Sequence, residues 1–237
     1  KIKIITMKIT KIIKTIMLTD SKEFSNLPIK EENFLTSLPE NLHLRLIGIM
    51  LGDGSLYRSS TTSNSRFEMS FGSNYKQFAE SIGKLFIDYM NSPIKALEIK
   101  GKNKVYLNFR LKTKTLPIFN RYHDMFYKLN TETVKYVKII PHNILTILNP
   151  VVLAYLIMTD GNFDKNRNRV RIYTNSYSKE DVERLATAIN IKLGIYVGVL
   201  HDRKDQLILT IGAKQLVKLR EIVSPFFESS MLYRIGL

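Results

Sequence analysis

The sequence predicts an α+β fold assembled from two copies of one unit, ordered helix, two strands, helix, two strands, helix. Three observations predict it. An apolar helix ending in Asp-Gly occurs twice in one register, as Leu46-Ile47-Gly48-Ile49-Met50-Leu51-Gly52-Asp53-Gly54 and as Leu153-Ala154-Tyr155-Leu156-Ile157-Met158-Thr159-Asp160-Gly161. Each copy runs into a segment in which cationic and apolar residues alternate, the period of a strand with one wet face. An amphipathic helix, a second hairpin and a closing helix then follow in both copies.

Taken in order, residues 1–37 form a basic arm in which Lys1, Lys3, Lys8, Lys11 and Lys14 stand among isoleucines with no acid before Asp20, a pattern suited to a nucleic-acid surface. The first repeat covers residues 38–130. After Asp53-Gly54 come Tyr57 and Arg58, then a strand in which Arg66, Glu68 and Ser70 interleave with Phe67, Met69 and Phe71. The turn Ser73-Asn74-Tyr75-Lys76 opens a helix with Phe78, Ile82, Leu85, Phe86 and Tyr89 on one stripe. A hairpin turns at Lys100-Gly101-Lys102-Asn103 and returns with Lys104, Tyr106, Asn108, Arg110 and Lys112 alternating with Val105, Leu107, Phe109 and Leu111. A helix over residues 116–129 closes the repeat, and residues 131–150, which hold Pro141 and Pro150, read as a linker.

The second repeat, residues 151–237, follows the same order. Beyond Lys165, the residues Arg167, Arg169, Arg171 and Tyr173 interleave with Asn168, Val170, Ile172 and Thr174. The turn Asn175-Ser176-Tyr177-Ser178-Lys179 opens a helix with Val182, Leu185, Ala186 and Ile189 inward. The last hairpin sets Ile195, Val197 and Val199 against Leu207, Leu209 and Ile211 across a polar turn, His201-Asp202-Arg203-Lys204-Asp205, before a helix over Ala213–Val223.

Composition narrows the function. The 237 residues include 36 Lys plus Arg against 21 Asp plus Glu, a formal charge of +15, which favours a polyanionic partner through counterion release. The absence of cysteine excludes disulfides, thiolate zinc and a cysteine nucleophile, and fits a reducing compartment. The longest apolar stretch, residues 144–158, falls short of the ~20 residues that span a bilayer, so no membrane helix is expected. His43, His123, His142 and His201 show no ligand spacing. Heavy use of isoleucine, lysine and asparagine points to an A/T-rich coding sequence such as that of a mitochondrion or another organelle, and leaves the compartment otherwise unassigned.

One Asp-Gly after an apolar run is an ordinary helix stop, glycine suiting the left-handed residue there. Two in register are more. If the two helices pair, Asp53 and Asp160 meet at the same end, where two acids and two sets of free carbonyls require a cation. A hard divalent ion with oxygen ligands, Mg²⁺ or alternatively Mn²⁺, meets that requirement, and beside cationic strands it suggests phosphodiester chemistry. Gly48, Gly52 and Ala154 are small enough for close helix approach, whereas Tyr155 breaks the symmetry. The wet strand faces offer Tyr57, Arg58, Arg66, Glu68, Ser70, Lys102, Lys104, Tyr106, Asn108, Arg110 and Lys112, then Lys165, Arg167, Arg169, Arg171, Tyr173, Asn175, Arg203 and Lys204, for base edges and phosphates.

On residues 46–54 and 153–161, the sequence resembles the LAGLIDADG homing endonucleases of the single-chain, two-motif type, over residue 38 to the C-terminus. The resemblance implies two pseudo-symmetric αββαββα repeats, each with a four-stranded antiparallel saddle-like sheet, joined at a paired-helix interface. It implies a monomer that binds double-stranded DNA, its saddles in adjacent major grooves, and cuts both strands across the minor groove with a divalent metal. Asp53 and Asp160 then become metal-binding catalytic acids, with the Gly52 and Thr159 carbonyls as further ligands. Lys138, in Val137-Lys138-Ile139-Ile140-Pro141, and Arg234, in Met231-Leu232-Tyr233-Arg234, match the basic residues placed near the scissile phosphates. Arg234 stands where the family pattern has lysine, and an arginine does not readily give up a proton. The polar residue often found at the end of the second strand is Phe71 or Gly72 in the first repeat and Thr174 or Asn175 in the second. A non-cleaving nucleic-acid-binding protein on this scaffold, such as a group I intron RNA maturase, is the alternative reading.

Overall fold

The structure is a computed structural model describing residues 37–100, 105–203 and 206–237. Residues 1–36 of the basic arm, Lys102, Lys104 and Lys204 lie outside the described residues.

Two helices carry the motifs. Helix α1 (Glu40–Leu51) starts after Pro39 with Glu40 in its first turn, where a negative charge suits the helix dipole. After α1 come β1 (Ser55–Arg58), β2 (Ser65–Gly72), α2 (Lys76–Leu85), β3 (Lys95–Lys100), β4 (Val105–Lys112) and α3 (Asn120–Phe126). A hairpin, β5 (Tyr127–Asn130) and β6 (Lys135–Lys138), and a short helix, α4 (Ile144–Ile147), lead to the second motif helix, α5 (Pro150–Asp160). The chain ends through β7 (Gly161–Asp164), β8 (Arg169–Tyr173), α6 (Lys179–Leu193), β9 (Gly198–Arg203), β10 (Gln206–Ile211), α7 (Ala213–Val223) and a 3₁₀ segment, Ser229–Ile235.

The start of α5 is written in its sequence. Asn149 caps it by accepting the Val152 N–H at 3.0 Å, and Pro150 follows at the first helical position, where no N–H is needed. Every residue of α5 from Val152 to Thr159 is buried, as befits a helix apolar on all sides. It packs against α1, in which Leu42, Leu46, Ile47, Ile49, Met50 and Leu51 are buried. Tyr155 fits because Gly48 faces it: a methyl group on Gly48 would stand 2.6 Å from both the Tyr155 Cβ and the Val152 carbonyl oxygen. The missing side chain in α1 admits the large one in α5.

Two four-stranded antiparallel sheets share one strand order, β1-β2-β4-β3 and β7-β8-β10-β9. The predicted alternation holds on β2, where Phe67, Met69 and Phe71 are buried against the helices while Arg66, Glu68 and Ser70 face outward. No described helix is long and apolar enough to cross a membrane.

Four local expectations need correction. The helix expected over residues 116–129 is one 3₁₀ turn, Pro117–Phe119, followed by α3, and it stops at Phe126. Its last residues join the linker to make the β5–β6 hairpin instead. The Asn130 side chain accepts the N–H groups of Glu132 and Thr133 at 2.9 and 3.0 Å, a local turn that competes with further helix. Arg167 and Asn168 lie in the β7–β8 turn rather than in β8, with Asn168 at φ 45°, a conformation asparagine tolerates. His201, Asp202 and Arg203, expected in a turn, extend β9, and the register shifts opposite them between Gln206 and Leu207.

The motif glycines are required for another reason than the one expected. Gly52 has φ −108° and Gly161 φ −83°, and positive φ among described glycines occurs at Gly194 and Gly236. What excludes a side chain is crowding. A Cβ on Gly54 would lie 2.9 Å from the Ile49 carbonyl oxygen, and one on Gly161 2.4 Å from that of Ile157. These carbonyls accept the N–H groups of Gly54, at 2.9 Å, and of Gly161.

Candidate active site

The paired helices bring Asp53 and Asp160 together, close enough for each carboxyl to shift the titration of the other. Removal of solvent at the helix ends pushes the Asp53 carboxyl above its ordinary value, against the pull of Lys138 and Arg234. Burial, reinforced by the Asp53 charge, pushes Asp160 up to about 7. Two carboxyls this close resist losing both protons. A Cβ on Gly52 would lie 2.0 Å from Thr159 Oγ1 and 2.9 Å from Asp160 Oδ2, so glycine is what lets the chain turn this close to its partner. Thr159 turns its hydroxyl back along α5, donating to the Leu156 and Tyr155 carbonyls at 2.9 and 3.0 Å.

Two cations sit against these acids. Strand β6 delivers Lys138, whose Nζ donates to the Gly52 and Gly54 carbonyls at 2.6 and 2.7 Å. Burial lowers its pKa to about 8, with Asp160 and Asp53 opposing. The terminal 3₁₀ segment delivers Arg234, which donates to the Gly161 carbonyl through Nη1 and to the Tyr75 hydroxyl through Nη2 at 3.1 Å. Each cation thus grips the carbonyl of the glycine that follows its own motif aspartate. The region predicted to be a linker is part of the site, because the hairpin fixes where Lys138 points. Tyr127 anchors that hairpin, its hydroxyl accepting the Leu56 N–H at 3.1 Å.

None of the four polar-residue candidates at the strand ends supplies a side-chain group to the acids. Phe71 is buried edge-on to Phe78, ring centroids 5.8 Å apart, and Gly72 is exposed with no side chain to offer. Thr174 spends its hydroxyl on the Leu207 carbonyl at 2.8 Å, and Asn175 donates to Asp202 and Gln206 on the neighbouring strands at 3.3 and 3.1 Å. The groups that reach the site from these turns are two tyrosines that motif reasoning missed. Besides Tyr75, the Tyr177 hydroxyl donates to the Leu51 carbonyl at 2.9 Å. The signal was present: the two strand-end turns carry a tyrosine at matching places.

The wet face of the first sheet is organised before any ligand arrives. Glu68 accepts from Arg110 at 2.8 Å and from Arg66, whose guanidinium lies 4.1 Å from the centre of the Tyr57 ring. Burial alone would raise the Glu68 carboxyl, but the hydrogen bonds from Arg110 and Arg66 outweigh it and hold the group below its ordinary value. Ser70 pairs with Arg110, and Glu68 with Lys112, across β2 and β4, while Asn108 and Tyr106 continue the row toward the outer end. Arg58 turns back to Asp124 at 3.1 Å.

The second sheet differs. Arg169 pairs with Asp164 at 3.2 Å, and Arg171 lies 5.7 Å from the Tyr173 ring centre beside Asn162. The central strand of its wet face carries Ile208, which is buried between Tyr173 and Leu200, and Thr210. These two and Asn162 were not anticipated as surface-defining residues. Lys165 and Arg167 sit exposed in the β7–β8 turn, and Arg203 at the outer end of β9.

Known proteins resemble this chain in sequence and in fold. The chain is 28% identical over 213 residues to the cytochrome b mRNA maturase bI2 of Saccharomyces cerevisiae, a match covering 86% of this chain and 49% of that protein, so the chain spans about half the length of that relative. It is 26% identical over 201 residues to the DNA endonuclease I-ChuI of Chlamydomonas applanata, covering 81% and 92% of the two chains. The solved structure of the homing endonuclease I-WcaI bound to its DNA recognition sequence superposes with a TM-score of 0.77 at 22% identity, covering 90% of this chain and 95% of that one, and so shares the fold. The sequence model of the LAGLIDADG DNA endonuclease family matches residues 45–219, both motifs included, and the chain belongs to that family.

Proposed function

We propose that this chain is a site-specific endonuclease that cuts double-stranded DNA at a long asymmetric site by divalent-metal-dependent hydrolysis, with one repeat, residues 38–130 or 151–237, on each half of the site. The observation that carries this reading is the Asp53–Asp160 pair, shared between two helix ends and flanked by Lys138 and Arg234.

The donor set fits a hard divalent cation: two carboxylates that resist ionising together, next to oxygen acceptors of two helix ends. Asp53 and Asp160 would hold Mg²⁺ or Mn²⁺, with the Gly52 and Thr159 carbonyls as further ligands; Gly52 already accepts from Lys138 and has a second lone pair to give. Such an ion polarises a phosphate and makes its bound water more acidic. Lys138 and Arg234 place positive charge beside the reacting phosphates. Lys138, with its pKa lowered to about 8, can exchange a proton near neutral pH, whereas Arg234 stabilises charge only.

DNA would lie on the wet sheet faces. Tyr57, Arg66, Ser70, Asn108, Arg110 and Lys112 suit one major groove, and Arg169, Arg171 and Tyr173 the next, with Arg58, Lys165, Arg167 and Arg203 toward the backbone. With ~6–10 phosphate contacts, affinity should fall by roughly 10³–10⁵ between 50 and 200 mM salt. A filter-binding series at four salt concentrations measures the slope, and a flat line would remove the phosphate-tracking surface.

The test of the reading is to incubate a randomised duplex library with the protein and Mg²⁺, with Ca²⁺ in parallel, and to sequence the ends produced. Enrichment of one long site with paired breaks in Mg²⁺ is expected. Selective binding without breaks in either ion would overturn it and favour the second reading, group I intron RNA maturation, which the likeness to the yeast maturase supports and which a splicing assay would then address.

A further inference from the structure

The two repeats match at their cations but not at their tyrosines. Lys138 and Arg234 each donate to the glycine carbonyl after the motif aspartate of their own repeat. Tyr75 and Tyr177 come from matching turns, and both cross the interface, yet to different targets. Tyr177 donates to a backbone carbonyl, that of Leu51. Tyr75 accepts from the Arg234 guanidinium, whose central carbon also lies 5.3 Å from the Tyr75 ring centre.

The two cations are therefore held differently. Lys138 is fixed by two backbone carbonyls of the first repeat at 2.6 and 2.7 Å. Arg234 is hydrogen-bonded to one backbone carbonyl and to one side-chain hydroxyl from the other repeat, with the Tyr233 ring centre 5.7 Å from its central carbon, and its buried Nε has no hydrogen-bond partner. A cavity of about 100 Å³ adjoins it, with Asp53, Ser70, Tyr75, Thr159 and Arg234 among its walls.

We propose that Tyr75 is a positioning residue that holds Arg234 in place at one of the two half-sites, so that the two strands of the duplex are cut with separate dependences on it. The proposal rests on the endonuclease reading above. Arg234 can act only through where its fixed charge stands, so its catalytic contribution depends on orientation. Removing the Tyr75 oxygen leaves the ring stacked beside the guanidinium but frees Nη2 to swing. Lys138, tied to backbone, does not feel the change.

The test uses a duplex carrying the site recovered from the randomised library, with each strand end-labelled separately, under single-turnover conditions in Mg²⁺. Tyr75→Phe is expected to slow one strand's cut by about tenfold, the scale of one hydrogen bond to a charged group, and to leave the other nearly unchanged. In an Arg234→Ala background, adding Tyr75→Phe should change neither rate further, the signature of a residue acting through its partner. Equal slowing of both strands, an unchanged pair of rates, or an independent effect in the Arg234→Ala background would overturn the proposal. If the wild-type protein makes no cut at all, the endonuclease reading fails with it; cuts by the wild type and unchanged rates in Tyr75→Phe overturn the proposal alone.

Discussion

Asp53→Asn and Asp160→Asn should each lower DNA cleavage by about 10³-fold, the several kcal/mol of charge stabilisation that a metal seat supplies. Binding to the same duplex should persist, because the strands proposed to face DNA are untouched. The same substitutions should stabilise the metal-free fold at pH 8. A carboxyl whose folded pKa is raised stabilises the protein fully below its unfolded value and loses that contribution as pH rises through the folded value. For Asp160 the loss therefore runs from about pH 4 up to about 7, and above it the wild type carries the full burden of two crowded charges. Asparagine has no such charge, so the melting temperature of Asp160→Asn should exceed that of wild type at pH 8, with the gap closing toward pH 4. Scans at both pH values, alongside a cleavage assay, measure both effects.

Gly48→Val should strongly destabilise the helix interface. The new Cβ would press on the Val152 carbonyl oxygen and the Tyr155 Cβ, both 2.6 Å away and neither able to rotate aside. The helices must separate, at a cost of about 1–3 kcal/mol. Gly48 lies one turn before Gly52, so the separation also moves Asp53 relative to Asp160, and a displacement near 1 Å costs about 10² in rate. Cleavage should thus fall further than the loss of folded protein explains. Gly212→Ala is the control: a methyl group there meets nothing within 4 Å, and stability should stay within about 0.5 kcal/mol. Urea unfolding and cleavage at matched folded fractions check the pair.

The motif helices and wet strands were legible because their signals are doubled: a nine-residue match is weak once and strong twice in register. Period-two alternation on β2, β4 and β8 places Arg66, Arg110, Arg169 and Arg171 on the outer face from the sequence alone. What escaped the sequence was decided by partners far away along the chain. The end of α3 depends on an Asn130 side chain that satisfies two N–H groups, and propensity alone runs the helix on to residue 129. The motif glycines suggested a positive φ, whereas close approach to Ile49, Thr159 and Ile157 is what excludes a side chain. Ile208 faces outward by alternation and is buried all the same, between its cross-strand neighbours Tyr173 and Leu200. Tyr75 and Tyr177 sat in a visible repeat, but their roles depend on which atom lies across the interface.

The endonuclease reading turns on Asp53 and Asp160 forming a cation seat at the helix ends. The most direct measurement is thermal unfolding of the metal-free protein with increasing Mg²⁺ at pH 8 and pH 5, repeated for Asp160→Asn. At ten times the dissociation constant the wild type should gain about 1.4 kcal/mol, a rise of about 3–6 °C in Tm, at pH 8. At pH 5, where Asp160 keeps its proton, the rise should vanish, as it should at either pH in Asp160→Asn. A wild type indifferent to Mg²⁺ at pH 8, or an equal rise in the variant, would show that the two aspartates do not seat the ion.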